Sequence, residues 1–453
     1  MSPRSGGLVE WFKQQGGYLH SNIHLLEDED NGLHFRAKEN LKQAATTEVS
    51  TQTGHSESLP SSTVACTCPV DLSISISSIK CLVEDPKDDR FSTTKLAGRL
   101  PDAAVTYFFL AEQRLLKERS RWYPYIDALP TEDEMSTPLY FSREDLVWLY
   151  GTSIYPSDSD PSRSSIEARK EMWQEHWESG RSALQELGAN AEPYTWDLFL
   201  WAATIFTSRS FTSAAAFPSS TDATFSILYP VIDLFNHRTG AKVVWDFSNG
   251  NFSLGLTEAY ATGDQIFNNY APKGNEELLT GYGFTLDSNP CDEVAVRLGR
   301  PPGPLHGILK ELHPKHFKSE TWDPLEGTFY LRGSNHYAGG YSSQQLPCLR
   351  GIPPEMFSMI EQMIIFMSGD DAPEGGELIY AAVEEFLPPL RMKLEAITRW
   401  DEQLPQEPRN KKQRYAKMYR DGQVAILTEV IRELEAFLAT VESQLEDPAE
   451  YGA

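Results

Sequence analysis

Two stretches near the middle of the chain decide its fold: VIDLFNHRTGAKVVWDF at residues 231–247 and GDQIFNNYAPKGNEELLTGYGF at residues 263–284. The first contains the pair Asn236 and His237, and the second contains Tyr270 about thirty residues later. Taken alone, an Asn-His pair is typical of a turn or of a hydrogen-bonded buried polar pair. The pair carries more information here, because GDQIFNNY follows it at this distance.

Together the two stretches resemble the paired signature of the SET-domain methyltransferases. In that family the Asn-His pair and the later tyrosine meet where an S-adenosylmethionine pocket joins a narrow substrate channel. The words WYPYI, LP, TPLYFS and GT at residues 122–152 resemble the insert of the branch that methylates lysines of Rubisco and of ribosomal proteins. RYAKMYRDGQ at residues 414–423 resembles the helical substrate-binding domain appended in that branch.

The resemblance implies an α+β fold: a mostly β SET core with a pseudoknot, a helical insert, and an α-helical C-terminal substrate-binding domain. Residues 1–100 would form the N-terminal part of the SET domain and residues 101–190 the insert. Residues 191–295 would complete the SET domain, with Asn236 inside the pseudoknot. Residues 300–453 would form the helical domain.

The resemblance also assigns the site residues. Tyr270 is the catalytic residue, placed beside the target nitrogen and the transferring methyl group. Because an unperturbed tyrosine is protonated near neutral pH, positioning is its expected role, rather than that of a strong base. The residues implied on the cofactor side are Glu29, Asn31, Arg209, Asn236, His237 and Tyr282. The residues implied in the substrate channel are Phe211, Ile232, Tyr282 and Phe284.

Several of these residues have a simpler interpretation. Phe211, Tyr282 and Phe284 could be ordinary core residues, and Arg209 a structural one. The Asn31-Gly pair could be only a turn. Three positions also depart from the family pattern: Asn31 replaces a usually apolar residue, Ala271 a common glycine, and Ile232 a small residue. Ile232 could narrow the channel and lower the number of methyl groups transferred.

Periodicity predicts the helices. Residues 8–20 form a short amphipathic helix that ends at a Gly-Gly pair, and apolar spacing predicts helices early in 96–130, at 166–187 and at 194–211. The C-terminal third predicts helices at 355–367, 377–400 and 409–446. The Ser/Thr-rich residues 45–64 and residues 156–165 predict exposed loops. The alternating run at 68–78 predicts a strand.

The composition excludes several classes of protein. A chain of 453 residues with 40% hydrophobic side chains can bury a substantial core in two or three domains. No apolar run reaches the length of a membrane helix, and the N-terminus lacks a signal peptide, so a soluble intracellular protein is expected. The five cysteines give neither a disulfide framework nor a zinc-binding spacing, so no metal is expected.

The net charge indicates what kind of partner the protein binds. Forty basic residues against 65 acidic ones leave a formal charge of -25. Such a surface repels nucleic acid phosphates and attracts basic polypeptides, so direct nucleic acid binding is not expected. The alternative is that the acidity only maintains solubility.

The sequence therefore predicts a protein-lysine N-methyltransferase that uses S-adenosyl-L-methionine, with a ribosomal protein or translation component as the favoured basic substrate. The apolar Phe211 favours lysine, because the resembling actin-histidine methyltransferases carry Asn there. We expect a monomer in the cytoplasm, with the nucleus as a second location. The alternatives are a histidine methyltransferase of this fold, a histone lysine methyltransferase, and a non-catalytic SET-fold binding protein. Target and methylation state do not follow from the sequence.

Overall fold

A computed structural model of the chain describes residues 3–42, 47–50, 56–59, 62–83, 92–156, 164–217, 223–333 and 346–446. Its backbone contacts divide the chain into two compact units. The first unit comprises Met1–Met135 with Arg169–Pro272, and the second comprises Ser136–Ala168 with Lys273–Ala453. Both units are therefore discontinuous in sequence. No helix among the described residues has both the length and the apolar character needed to cross a bilayer.

The described residues contain both helices and strands, as the predicted α+β class requires. The helices are α1 (Pro3–Gln14), α2 (Ile76–Val83), α3 (Asp102–Leu116), α4 (Tyr123–Ala128), α5 (Arg143–Leu146), α6 (Ser165–Glu186), α7 (Trp196–Arg209), α8 (Ser213–Ala216), α9 (Asn275–Glu277), α10 (Gly303–Leu312), α11 (Pro354–Ser368), α12 (Gly375–Thr398) and α13 (Lys411–Glu446). The strands are β1 (Tyr18–Leu19), β2 (Ile23–Asp28), β3 (Gly32–Ala37), β4 (Thr47–Ser50), β5 (Ser56–Leu59), β6 (Thr63–Pro69), β7 (Ile74–Ser75), β8 (Phe211–Thr212), β9 (Ser226–Leu228), β10 (Val243–Asp246), β11 (Asn251–Leu256), β12 (Gln265–Ile266), β13 (Glu293–Arg297) and β14 (Thr328–Arg332).

The first unit holds small antiparallel sheets that bring distant parts of the chain together. Their strand orders are β1-β6-β11-β10, β12-β3-β2 and β7-β9-β8. In the second of these, Phe35 of β3 pairs with Ile266 of β12, and its ring stacks on Phe235 at 4.2 Å between centroids. Helices α3 and α7 pack through buried aromatic rings, including Phe108 and Phe199. The pairing of β3 with β12 and the stacking of Phe35 on Phe235 connect both signature stretches to the opening hairpin β2-β3.

The second unit is built around helices α11, α12 and α13 with the hairpin β13-β14. Its core consists of apolar side chains such as Met356, Phe386 and Leu427, all with no exposed area. The segment before α6 joins this core through polar contacts: Asp145 accepts hydrogen bonds from Asn410 and Gln413, each at 2.9 Å. The predicted helices of the C-terminal third are all present, and α12 continues through Pro388 and Pro389.

Two local predictions were wrong. The alternating run at 68–78 is not one strand: β6 ends at Pro69, and after the two-residue β7 the chain enters α2. Ser75 and Ser78 exchange hydrogen bonds between side chain and backbone, which starts a helix where the alternation indicated a strand. Within the predicted loop at 45–64, β4 and β5 form an antiparallel hairpin. Backbone pairing needs no core beneath it, so low hydrophobicity did not reveal the hairpin. The predicted loop at 156–165 lies mostly outside the described residues.

Candidate active site

Tyr270 is held at both its backbone and its side chain by the first signature stretch. Its amide N–H donates to Nδ1 of His237 at 3.0 Å, and its hydroxyl donates to the carbonyl oxygen of Phe235 at 2.9 Å. The His237 and Tyr270 rings stack with centroids 5.0 Å apart. A phenol has one proton, so a Tyr270 hydroxyl engaged in this way can meet a further ligand only as an acceptor.

The backbones of the two signature stretches also pair directly. The Asn268 N–H donates to the Asn236 carbonyl at 2.8 Å, and the Arg238 N–H donates to the Asn268 carbonyl at 3.1 Å. His237 and Asn268 form a parallel bridge. The structure therefore brings Asn236, His237 and Tyr270 together, as the sequence predicted, although the cofactor-binding and catalytic roles themselves stay predictions.

The tip of the β2-β3 hairpin reaches the same place. The Asn236 side-chain amide donates to the Asn31 carbonyl at 3.1 Å, and Asn31 in turn donates from its backbone and its side chain to Asp28. Burial opposes the effect, but these hydrogen bonds from Asn31 lower the pKa of Asp28. Asn31 thus closes the turn, which gives its departure from an apolar residue a local reason. Glu29 lies exposed in the same turn.

Arg209 and Ile232 occupy the buried side of the first signature stretch. The Arg209 guanidinium contacts the Asp233 carboxylate at 3.4 Å and donates to the Asp233 carbonyl at 3.2 Å. The same carboxylate accepts from the Tyr125 hydroxyl at 2.9 Å. Burial raises the pKa of both Asp233 and Tyr125. Ile232 has no exposed area. These contacts fit the structural interpretation of Arg209, and its position beside the cofactor stays a prediction.

Phe211 belongs to a cluster of aromatic rings. It meets the rings of Tyr229, Trp245 and Phe252 edge to face, at centroid distances of 5.8, 5.2 and 4.9 Å. The Trp245 indole N–H donates to the Asn268 side-chain oxygen at 2.9 Å. Trp245 therefore connects the Phe211 cluster to the segment that carries Asn268 and Tyr270.

Sequence reasoning missed four of these residues: Tyr125, Asp233, Trp245 and Asn268. Three of them lie inside the quoted signature stretches, so their position was an available signal. Tyr125 lies far from the signature in sequence, and only its place in the WYPYI word could have drawn attention to it.

Tyr282 and Phe284 belong to the second unit. Tyr282 ends a π-helical turn at Leu278–Tyr282, and the next residue, Gly283, has a left-handed backbone with φ of 81°. The Tyr282 and Phe284 rings meet edge to face at 6.3 Å, and Lys273 Nζ lies 5.6 Å from the Tyr282 ring centroid. Burial raises the pKa of Tyr282. The predicted place of both rings in a channel stays a prediction.

Comparison with known proteins gives relatives that are named as protein methyltransferases. No protein-family model matches the chain. It is 30% identical to the ribosomal lysine N-methyltransferase set10 of Schizosaccharomyces pombe over 73% of its own length and 57% of that protein. It is 28% identical to the protein-lysine N-methyltransferase EFM1 of Saccharomyces cerevisiae, over 58% of this chain and 53% of that one. The chain thus spans little more than half the length of these curated relatives.

A weaker match, 25% identical over 46% of this chain and 34% of the other, is the actin-histidine N-methyltransferase of Mus musculus. Among solved structures, Rubisco LSMT bound to AdoMet matches with a TM-score of 0.65 at 17% identity, covering 100% of this chain and 98% of that one. This likeness establishes the fold. In sequence and in fold, the chain is similar to SET-domain lysine methyltransferases of the branch that includes the Rubisco large-subunit and ribosomal-protein enzymes.

Proposed function

We propose that this protein transfers methyl groups from S-adenosyl-L-methionine to lysine side chains of other proteins. The observation that carries the proposal is the double anchoring of Tyr270 by His237 and the Phe235 carbonyl. Its hydroxyl oxygen is thereby fixed as an acceptor next to the paired signature stretches. The two relatives that match over more than half of this chain are named as lysine methyltransferases, and those names agree with this chemistry.

A lysine must lose a proton before its nitrogen can attack a methyl group. With a free pKa near 10.4, deprotonation at pH 7 costs roughly 4.6 kcal/mol, and a desolvating aromatic environment lowers that cost. An amine N–H that donates to the Tyr270 hydroxyl leaves the nitrogen lone pair pointing elsewhere. Tyr270 can therefore aim the lone pair, which must come within about 3 to 3.5 Å of the methyl carbon.

The residues present fit the proposed cofactor. The Asn236 side-chain amide and the Asn31 backbone carbonyl are hydrogen-bonded at one side, and the stacked His237 and Tyr270 rings offer π faces that suit a cation. Close by, the buried Asn268 side-chain nitrogen has no hydrogen-bond partner within the described protein. When bound, S-adenosylmethionine supplies an electrophilic methyl group on a positively charged sulfur. No group of His, Cys, Asp and Glu side chains in the described ranges could hold a metal ion.

The aromatic cluster around Phe211 favours lysine over histidine as the target. Its rings offer apolar faces for an alkyl chain, whereas an imidazole nitrogen needs a polar partner. Histidine methylation is the second candidate, because an actin-histidine enzyme is among the weaker relatives. We further propose a basic ribosomal protein as substrate, on the net charge of -25 and the name of the first relative. We propose a monomer in the cytoplasm, with the nucleus as second location.

The test uses the full chain, tritiated S-adenosylmethionine and a lysate from cells that lack the enzyme. We expect label in basic ribosomal proteins, recovered as methyl-lysine after acid hydrolysis. Tyr270→Phe should reduce the rate by roughly 100-fold, because an oriented polar group at the reacting centre is removed. Tyr260→Phe is the matched control, since its hydroxyl bonds Glu258 instead. Label recovered as methyl-histidine would support histidine methylation in place of lysine methylation. The absence of transfer to any protein would refute both.

A further inference from the structure

A buried polar network lies directly behind the turn that anchors Tyr270. Asp233 at its centre has a fully buried side chain, and Tyr125 has no exposed area. The Asp233 carboxylate accepts from Tyr125 at 2.9 Å and meets the Arg209 guanidinium at 3.4 Å. A buried carboxylate is tolerated only when such partners compensate its lost hydration. Tyr125 is therefore a necessary partner of Asp233.

The turn that carries Asp233 is strained. Val231 has a φ of 74°, a conformation that a β-branched residue rarely adopts and that costs on the order of 1–3 kcal/mol. A 3-10 turn at Ile232–Leu234 follows, and then comes Phe235, whose carbonyl receives the Tyr270 hydroxyl. A strained turn keeps its shape only where surrounding contacts over-determine it. The hydrogen bonds from Tyr125 and Arg209 to Asp233 are such contacts.

We propose that Tyr125 is a positioning residue for methyl transfer: through Asp233 it fixes the turn whose Phe235 carbonyl orients the Tyr270 hydroxyl. The residue comes from α4, more than a hundred positions before the signature in sequence. Its hydroxyl donates to Asp233, and through that carboxylate it acts on the turn. The role rests on the proposed function, because Tyr270 matters only where a methyl group is transferred.

The first experiment is a double-mutant cycle on kcat with Tyr125→Phe, Tyr270→Phe and both together. The substrate is acid-extracted ribosomal protein from cells lacking the enzyme; S-adenosylmethionine is saturating for kcat and is varied in a separate series to obtain its KM. Tyr125→Phe should lower kcat roughly tenfold, because a small displacement of an oriented group costs this much or more, while KM for the cofactor stays within about twofold. In the Tyr270→Phe background the same change should alter kcat less than about twofold. Equal losses in both backgrounds would overturn the proposal.

The matched control is Tyr107→Phe. Tyr107 is another buried tyrosine of the first unit, packed against Trp173, Phe199 and Phe206. Removal of the Tyr107 hydroxyl should leave kcat unchanged. If Tyr107→Phe slows transfer as much as Tyr125→Phe does, the effect is general loosening and the proposal is wrong.

A second readout does not depend on activity. Amide hydrogen exchange should accelerate in peptides covering 229–238 and 264–272 of Tyr125→Phe, and not in those of Tyr107→Phe. Unchanged exchange in both peptides would overturn the positioning role whether or not the enzyme is active. A wild-type protein that transfers no methyl group, with exchange altered as expected, would instead refute the proposed function and leave the contact of Tyr125 with the turn standing.

Discussion

At the scale of single residues, the structure explains one departure from the family pattern. Ala271, which directly follows Tyr270, has a φ of 79°. This left-handed conformation is natural for glycine and costs other residues about 1–2 kcal/mol. The common glycine of relatives is thus the unstrained choice, and this chain keeps an alanine there at a cost. The strain falls next to the residue that the proposed chemistry uses most.

Ala271→Gly is therefore expected to stabilise the protein. Relief of about 1–2 kcal/mol of strain exceeds the roughly 0.4–1 kcal/mol lost by making the unfolded chain more flexible. The expected net gain in unfolding free energy is about 0.5–1 kcal/mol, measured by urea denaturation. Ala261→Gly is the control, because Ala261 is also exposed and does not have a positive φ. A loss of stability in Ala271→Gly as large as that in Ala261→Gly would contradict the account.

Residue identities could be predicted from sequence only where a motif marked them. The proximity of Asn236, His237 and Tyr270 was implied by the resemblance of two quoted stretches to the SET-domain signature, and their backbone pairing agrees with it. The partners of Asp233 could not be predicted, because a contact between Tyr125 and Asp233 leaves no periodic signal in either segment. Nor could the strain at Val231, since β-branched residues ordinarily indicate an extended backbone.

At the scale of elements, the RYAKMYRDGQ segment of α13 forms hydrogen bonds within the second unit. Tyr419 of α13 donates to Glu276 at 2.7 Å, and Arg420 donates to the carbonyl of Tyr150 at 3.2 Å. Gln423 donates to the carbonyl of Glu293 at 2.8 Å. These contacts attach α13 to the rest of the second unit. The word therefore identifies a packing surface, and nothing in these contacts requires a partner protein.

Gly151 packs directly against the backbone of α12 in the second unit. A Cβ atom there would lie 1.9 Å from the Ala396 carbonyl oxygen of α12, and the backbone has a φ of 81°. Gly151→Ala is expected to cost more than about 3 kcal/mol of stability, because both strain and a backbone clash result. Gly188→Ala is the control: its φ is 75°, but nothing lies within 4 Å, so about 1 kcal/mol is expected. Melting temperatures that fall equally would contradict the clash.

Glu326 makes the stability of the folded protein dependent on pH. Burial opposes the effect, but donors from Ser319 and Lys318 at 2.6 Å each and the contact with His306 lower the pKa of Glu326 from 4.5 to about 2. A carboxyl group whose pKa is lower in the folded state than in the unfolded state stabilises the folded state at pH values above its unfolded-state pKa. That stability is lost as pH falls from about 4.5 towards 2.

Glu326→Gln should therefore be less stable than the wild type by up to about 3 kcal/mol at pH 7, from about 1.36 kcal/mol per pKa unit. The difference should shrink steadily between pH 4.5 and 3. Thermal unfolding of both proteins at pH 7, 5, 4 and 3 checks this. A difference that stays constant across the series would show that the charge of Glu326 is not involved.

Helices were predictable where the apolar spacing continued over many residues, as in α11, α12 and α13, because each of them buries one face in a shared core. Short elements were not. The hairpin β13-β14 and helix α10 were absent from the prediction, because the sequence between residues 293 and 332 combines short apolar runs with proline and glycine. In such a segment tertiary packing, rather than local pattern, decides the structure.

At the scale of the whole molecule, negative charge is unevenly distributed. Between Arg350 and Arg391 the sequence contains no Lys, Arg or His, while α11, α12 and their connection carry a succession of carboxylates. At the end of α11, Phe366 is 48% exposed and Met367 is 79% exposed. An acidic surface with apolar side chains suits a basic polypeptide better than it suits nucleic acid.

The KM for a basic protein substrate should therefore rise with ionic strength. Screening shortens the Debye length from about 10 Å at 0.1 M salt to about 3 Å at 1 M, which removes most long-range attraction. We expect KM for acid-extracted ribosomal protein to increase at least several-fold between about 0.05 and 0.3 M NaCl, with little change in kcat. Initial rates at fixed S-adenosylmethionine give both constants. A KM independent of salt would show that the net charge does not recruit the substrate.

The contact between Tyr125 and Asp233 has a consequence for protein engineering. Because α4 supplies a hydrogen bond to the signature turn, we expect that the helices of the predicted insert at 101–190 cannot be exchanged freely between relatives. A chimera that received this region from a relative lacking the tyrosine would be left with an unsolvated carboxylate behind its reactive centre. Grafting would succeed only if the tyrosine and the aspartate were transferred together.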